Sequence, residues 1–519
     1  MQLPRAENVV RNAYPLAGVR PRHMPTPTSS IRRFLTAPAA RLALAAAVMG
    51  AVAVSAAPAT AGGPVGTTAA ATGAPADPVG APAAANAPGA DFVPGEVIVR
   101  YARSADRADR AAVQRQEGVG DPKAFAPRTR LLRIRDGESV AATVRELRAR
   151  PEVATAAPNV VAHASAYFPR DPGNSGVRGG WEALQWNFLS DTGVDAPDAW
   201  QNLIDAGRPG ASGVVVAVLD TGVAYTNYGR CHRTITSTRV VGCRRSPDFY
   251  ARDFVPGYDF VDHDRRPSDE NGHGTHVAGT IGESTGNDVG VTGLAYGARI
   301  MPVRVLDRLG EGESAEIAAG IRWAARHGAK VINLSFEFGT QVTRDEIPDI
   351  LAALRDARRR NVLVVGASGN TAARSLAYPA RASDVLSVGA TTQHGCVAEY
   401  SNKGAGLDLV APGGGVDANV PGDPNCRPRE PAGSSIFQMT FDPSVRRFGL
   451  PGGYVGTSMA APHVSAAAAM VIASGVLGAN PTPAAIEARL KATARDLGPP
   501  GPDARYGAGL LDAARATAR

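Results

Sequence analysis

Gly213-Val214-Val215-Val216-Ala217-Val218-Leu219, followed directly by Asp220-Thr221-Gly222, is the stretch whose reading decides the fold. Its residues are apolar, mostly β-branched and without polar alternation, as in a strand buried on both faces of a sheet. Shorter runs of the same texture recur at 303–306, 330–335, 361–365 and 385–388. Helical patterns over 314–327 and 344–359 lie between them. Strands alternating with helices predict an α/β domain, a parallel sheet flanked by helices on both sides. Ligands of such sheets gather beyond the carboxyl ends of the strands, which is where Asp220 stands.

Working back toward the N-terminus, the texture changes at Asp91. Residues 96–101 alternate like a strand, 105–116 read as a helix and 130–135 as a strand. Residues 139–150 form a second helix with Val140, Val144 and Leu147 on one face, and 153–163 are extended. That β-α-β(β)-α-β order predicts a small α+β domain of ferredoxin-like type over 91–165. By shape alone it is a small binding module of any kind. Residues 62–90, mostly Ala, Pro, Gly and Thr, read as a linker.

Ahead of the linker, Arg32 and Arg33 precede an apolar run over 42–57 that closes on Ala59-Thr60-Ala61. A charged start, apolar middle and small-residue ending describe a secretory signal peptide over 1–61. The run is short for a span and is broken by Gly50 and Pro58, so no membrane anchor is expected after processing. The chain of 519 residues is 44% apolar and 20% charged, an ordinary globular balance with room for a sizeable core. Its net charge of +7 is spread without a block of like charges or interleaved aromatics, so no nucleic-acid partner is expected. Four cysteines in an exported chain predict disulfides. They allow three pairings, of which the nearest-neighbour one joins Cys231 to Cys243 and Cys396 to Cys426. No C-x-x-C spacing supports a metal instead.

Three residues carry candidate chemistry. Asp220-Thr221-Gly222 is good turn chemistry and is also the motif of aspartic peptidases. A second copy, Asp191-Thr192-Gly193, lies too close upstream for two lobes and has no buried strand ahead of it. His273 stands in Asn271-Gly272-His273-Gly274-Thr275-His276, before an apolar helical continuation. Two histidines three apart suit a metal, although no H-E-x-x-H pattern accompanies them. One histidine there suits a general base. Ser458 lies in Gly456-Thr457-Ser458-Met459-Ala460-Ala461-Pro462-His463, a tight turn feeding an Ala-rich helix. By itself Ser458 reads as a helix N-cap. The same place, beside unpaired N–H groups and the positive helix end, suits an oxygen nucleophile. No local reading decides among these alternatives.

The ensemble does. Asp220, His273 and Ser458, in that order and each in its extended motif, resemble the subtilisin-like serine peptidases. Ala367-Ser368-Gly369-Asn370, Tyr400-Ser401-Asn402 and Val410-Ala411-Pro412-Gly413 extend the match, which runs from Gln185-Trp186 to Tyr506-Gly507-Ala508-Gly509. The resemblance implies a peptidase domain over 175–519 that cleaves protein or peptide substrates through an acyl-enzyme. Ser458 would be the nucleophile, His273 the base and then the acid, and Asp220 the group that orients the histidine. Asn370 and the N–H of Ser458 would donate to the oxyanion. No cofactor is needed for this chemistry.

The resemblance also implies that 330–339 forms an edge strand pairing with the substrate backbone. Beside it a side-chain pocket would be built from Ser335, Phe336, Glu337, Ala367, Ser368 and Gly369, with Ala377 at its base. Relatives usually carry Ser-Leu-Gly-Gly where this chain has Ser335-Phe336-Glu337-Phe338. Glu337 would narrow the pocket, pair with a basic P1 side chain, or point into solvent. The small Ala377 leaves room for a bulky P1 residue.

The domain over 91–165 resembles the inhibitory propeptide of this family, with Pro158-Asn159-Val160-Val161 matching its Pro-Asn segment. That implies a zymogen cut by the enzyme itself between Ala164 and Ser175, with the propeptide as inhibitor and folding aid for a slow parallel-sheet domain. Extra length between Asp220 and His273 carries Cys231 and Cys243, and a second insertion before Gly456 carries Cys426. Both are expected as disulfide-braced loops near the cleft. Residues 285–291 resemble a structural calcium loop with Asn287 as candidate ligand, although the first insertion displaces the region expected to supply its acidic partner. The expectation is a secreted, monomeric serine endopeptidase. The alternative is a binding protein of the same fold with its cleft blocked by Glu337 and Phe338.

Overall fold

The computed structural model describes residues 92–160, 167–174, 179–430 and 433–519. The expected signal peptide, the linker and part of the expected cleavage segment lie outside them. The N-terminal domain runs β1 (Phe92–Tyr101), α1 (Arg107–Gln116), β2 (Val119–Ala126), β3 (Thr129–Ile134), α2 (Val140–Arg148) and β4 (Val153–Val160). Its antiparallel sheet has the order β2-β3-β1-β4, the ferredoxin-like arrangement expected. Asp106 closes a capping box at the start of α1, and Ser139 Oγ accepts the Ala142 N–H at the start of α2. Val140, Val144 and Leu147 then bury one face of α2 against Val97, Val99 and Leu132.

The large domain continues with α3 (Ala196–Asp205), β5 (Val215–Asp220), the hairpin β6 (Arg230–His232) and β7 (Val240–Gly242), β8 (Tyr258–Asp259) and α4 (His273–Gly282). Then come β9 (Arg299–Arg304), α5 (Ser314–Arg326), β10 (Val331–Leu334), α6 (Pro348–Arg359), β11 (Leu363–Ala367), β12 (Leu386–Thr391) and β13 (Leu409–Pro412). Three helices close the chain: α7 (Thr457–Ser474), α8 (Pro483–Thr493) and α9 (Ala513–Thr517). Seven strands make one parallel sheet in the order β13-β12-β11-β10-β5-β9-β8. Strand β5 shows why its sequence lacks polar alternation. Val216 and Val218 enter the core with α4 and α7, whereas Ala217 and Leu219 enter the core with α5 and α6. Both faces are dry.

Several expectations need correction. The strand expected at 303–306 runs earlier, as β9, and passes through Pro302. Ile300 O accepts the Val255 N–H on the outer side of the sheet, and Pro302, two residues on, faces the same way. There β8 begins to pair only at Val303, so the missing N–H breaks no ladder bond. The helix expected from 344 begins at Pro348, at a first-turn position that costs proline nothing. The segment expected as an edge strand is central: β10 lies between β11 and β5. Only Ser335–Phe338, beyond its end, leaves the sheet. Among the described residues no helix is long and apolar enough to cross a membrane.

Both disulfides form in the nearest-neighbour pairing. Cys231–Cys243 ties β6 to β7, and Cys396–Cys426 anchors the second insertion to the loop after β12.

Candidate active site

The fold brings Asp220, His273, Asn370 and Ser458 to the carboxyl edge of the sheet. Asp220 is the last residue of β5 and is fully buried. Its Oδ1 accepts from the Thr221 N–H at 2.7 Å and lies 2.8 Å from His273 Nδ1. His273 opens α4, which packs alongside α7. Thr221 and Asp269, the second not singled out by the sequence motifs, hold that helix start in place. Asp269 Oδ2 accepts from Thr275 N and Oγ1, and Thr221 Oγ1 donates to Asp269 Oδ1 while accepting from the Gly274 N–H. Gly274 is needed because a Cβ there would lie 2.1 Å from Gly222 O. The signal for Asp269 was present in the sequence, as an acid four residues ahead of a helical histidine.

Burial opposes a charge on His273, but the charge and hydrogen bond of Asp220, with Asp269 behind, outweigh it and raise its pKa above the ordinary imidazole value of 6.5. Among the described residues no hydrogen bond joins His273 to Ser458 Oγ, a contact that commonly tightens only around substrate. His276 does not share a site with His273. It is buried under the ring of Tyr454 at 4.1 Å, with Nε2 on Ile436 O, and burial pulls its pKa down to about 3.

Ser458 is not the helix cap. The cap position of α7 is Gly456, and Ser458 is the second helical residue, with its own N–H at the positive end and without a hydrogen-bond acceptor among the described residues. Three bonds gather the neighbouring segments around it. Ser335 Oγ donates to Ser458 O at 2.8 Å, Gly369 N donates to Thr457 Oγ1 at 3.2 Å, and Thr457 N donates to Asn370 Oδ1 at 2.8 Å. Because Thr457 N–H is a donor, the Asn370 atom facing it must be oxygen, which turns Nδ2 the other way. The chain thus presents an amide donor and a helix-terminal N–H beside one hydroxyl.

Ser335, Phe336 and Glu337 on one side and Ala367, Ser368 and Gly369 on the other flank Ser458. Ala377 joins the second wall, its N–H on Ser368 O at 2.9 Å. Phe336 and Phe338 turn away to pack on the α5–α6 core. Glu337 points the opposite way. It is half-buried, and its carboxylate accepts the Asn370 N–H at 3.0 and 3.2 Å. Burial raises its pKa, and hydrogen bonds from the Asn370 backbone and side chain oppose that rise. The carboxylate is therefore held against the Asn370 backbone while the side chain stays partly exposed. Asp191, the other Asp-Thr-Gly aspartate, sits in a left-handed turn with its carbonyl held by Arg495.

Asn287 lies in a loop closed over two carboxylates that the sequence reading did not name. Asp171 accepts from the N–H groups of Gly286 and Asn287, and Asp248 accepts from Asn287 Nδ2 and the Val291 N–H. Both carboxylates are fully buried, and burial raises their pKa values. Among the described residues, no cation pairs with either and no group of three or more His, Cys, Asp or Glu side chains is arranged to hold a metal.

Known proteins resemble this chain over both domains. Residues 211–509 match the Subtilase family, and residues 78–159 match the fervidolysin N-terminal prodomain. The chain is 31% identical over 387 residues to a thermophilic serine proteinase of Bacillus sp. (strain AK1), covering 74% of this chain and 79% of that protein. It is 37% identical over 308 residues to Subtilisin Savinase of Lederbergia lenta, covering 59% of this chain and 91% of that protein. Among solved structures, a protease from Pseudoalteromonas arctica superposes with a TM-score of 0.51 at 29% identity, covering 68% of this chain and 99% of that one.

Proposed function

The chain belongs to the subtilase family and is a serine protease with an N-terminal prodomain, and from that premise we propose a secreted endopeptidase made as a self-processing zymogen. The observation that carries this reading is the 2.8 Å contact between His273 Nδ1 and the buried Asp220, with His273 and Ser458 opening two helices that pack together. Asp220 holds the imidazole in the tautomer that leaves Nε2 basic. Nε2 takes the Ser458 proton as Oγ attacks the scissile carbonyl, and returns it to the leaving amine. Negative charge on the carbonyl oxygen is met by Asn370 Nδ2 and the Ser458 N–H. Water then releases the acyl group by the same proton path.

The domain over 91–165 acts as propeptide, blocking the cleft until the enzyme cuts between Ala164 and Ser175. Export is supported by the signal pattern over 1–61 and by two disulfides, which persist in oxidising compartments. Calcium is proposed at the 285–291 loop. Asp171 and Asp248 offer carboxylate oxygens suited to that ion, Asn287 would join them by turning its amide oxygen from the Val289 N–H, and among the described residues no cation pairs with either carboxylate. A bound ion would neutralise the two carboxylates and brace the loop.

Serine-directed fluorophosphonate labelling tests the assignment. Wild type should label, and Ser458→Ala should neither label nor lose its prodomain when expressed without other proteases. Labelling that survives in Ser458→Ala refutes the nucleophile, and normal trimming of that variant refutes self-processing.

A further inference from the structure

We propose that Glu337 makes this protease selective for a basic P1 residue, an inference that rests on the reading of Ser458 as nucleophile. The argument begins with direction. In the extended segment beyond β10, Phe336 and Phe338 pack on the α5–α6 core. Ser335 and Glu337 therefore share the other side, and Ser335 Oγ bonds the backbone of Ser458. Glu337 extends from there across the slot between the two walls and reaches the Asn370 N–H on the far side. A Cβ on Gly369 would lie 2.2 Å from Glu337 Oε2, so the carboxylate rests directly on that backbone. Only glycine at 369 leaves room for it.

The slot beside the nucleophile thus carries a negative charge of its own. Among the described residues no lysine, arginine or histidine pairs with Glu337, so the desolvation cost of a half-buried carboxylate is met by one residue's N–H groups alone. A P1 side chain entering the slot must move that carboxylate. An apolar side chain would strip it of Asn370 and offer nothing in return. An acidic one adds repulsion. A guanidinium or ammonium replaces the lost hydrogen bonds with a charge-assisted pair. Ala377, whose N–H bonds Ser368 O on the second wall, is a small side chain that adds little bulk there. Displacing Glu337 also frees Asn370, whose amide the carboxylate otherwise engages, for the oxyanion. Recognition of a basic side chain and completion of the donor pair are one movement.

The test compares mature wild type, Glu337→Gln and Glu337→Gly on peptides identical except for Arg, Lys, Leu or Phe at P1. Active enzyme is counted by fluorophosphonate titration, and folding is checked by thermal melting. Wild type should favour Arg and Lys over Leu in kcat/KM by at least about tenfold. Glu337→Gln should lower that ratio by about tenfold or more, and benzamidine should inhibit wild type competitively and the variant far less. The near-isosteric glutamine keeps the hydrogen-bonding length, so a folded variant separates charge from shape. A wild type that favours Leu or Phe, or a Glu337→Gln variant that labels fully and keeps the wild-type ratio, overturns this proposal alone. Absence of labelling in wild type overturns the nucleophile assignment and this proposal with it.

Discussion

Thr457 donates its backbone N–H to Asn370 Oδ1 at 2.8 Å, and its hydroxyl lies 3.0 Å from the same oxygen. That hydroxyl also accepts the Gly369 N–H, so one residue beside Ser458 sets both the amide orientation and the position of the loop after β11. Asn370→Leu should therefore lower kcat by about a hundred- to a thousandfold with little change in KM, the range found for losing one oxyanion donor in this family. Thr457→Val removes only the hydroxyl and leaves the N–H bond, so its loss should be smaller, about tenfold. Steady-state kinetics decide. A KM effect in place of a kcat effect would assign both residues to substrate binding.

The pKa of His273 bears on the pH profile. The base must be neutral to take the Ser458 proton, so activity is lost as pH falls through the folded-state pKa. Because Asp220 and Asp269 raise that pKa above 6.5 despite burial, the acid limb of kcat/KM should have its midpoint above 6.5. Asp220→Asn removes the main raising influence and leaves the burial. Its acid limb should move to lower pH, and kcat should fall by about 10⁴-fold as the wrong tautomer is favoured. An acid limb that stays in place would show that another group titrates there.

Asp171 and Asp248 make stability sensitive to calcium. An ion at a thousand times its Kd contributes about 4 kcal/mol to the folded state. Chelation should lower the Tm of the wild type, and added calcium should restore it. With Asp171→Asn and Asp248→Asn together, two buried charges are neutralised. That protein should melt at the same temperature with or without calcium. Differential scanning calorimetry reads the difference, and a wild-type Tm indifferent to chelator would leave the 285–291 loop as hydrogen-bonded structure only.

The parallel sheet was legible because burial on both faces leaves a local mark, the unbroken apolar run over 213–219. Asp220, His273, Asn370 and Ser458 could be singled out as candidates because each sits in a short motif whose glycines answer to nearby backbone, as Gly274 does to Gly222. The apolar run read at 303–306 caught only the end of β9, because what admits Pro302 into the strand is that β8 begins to pair only at Val303.

Tertiary structure decided the rest. The sequence by itself established the family pattern and the order of the candidate motifs, since periodicity and motif are properties of adjacent residues. It did not establish that Ser458 lies inside the first helical turn, which of three disulfide pairings forms, or that Asp171 meets Asn287 across 116 positions. Nor did it decide among the three directions open to Glu337. A side chain's direction follows from which face its segment buries, and that is set by Phe336 and Phe338 finding a core made of distant helices.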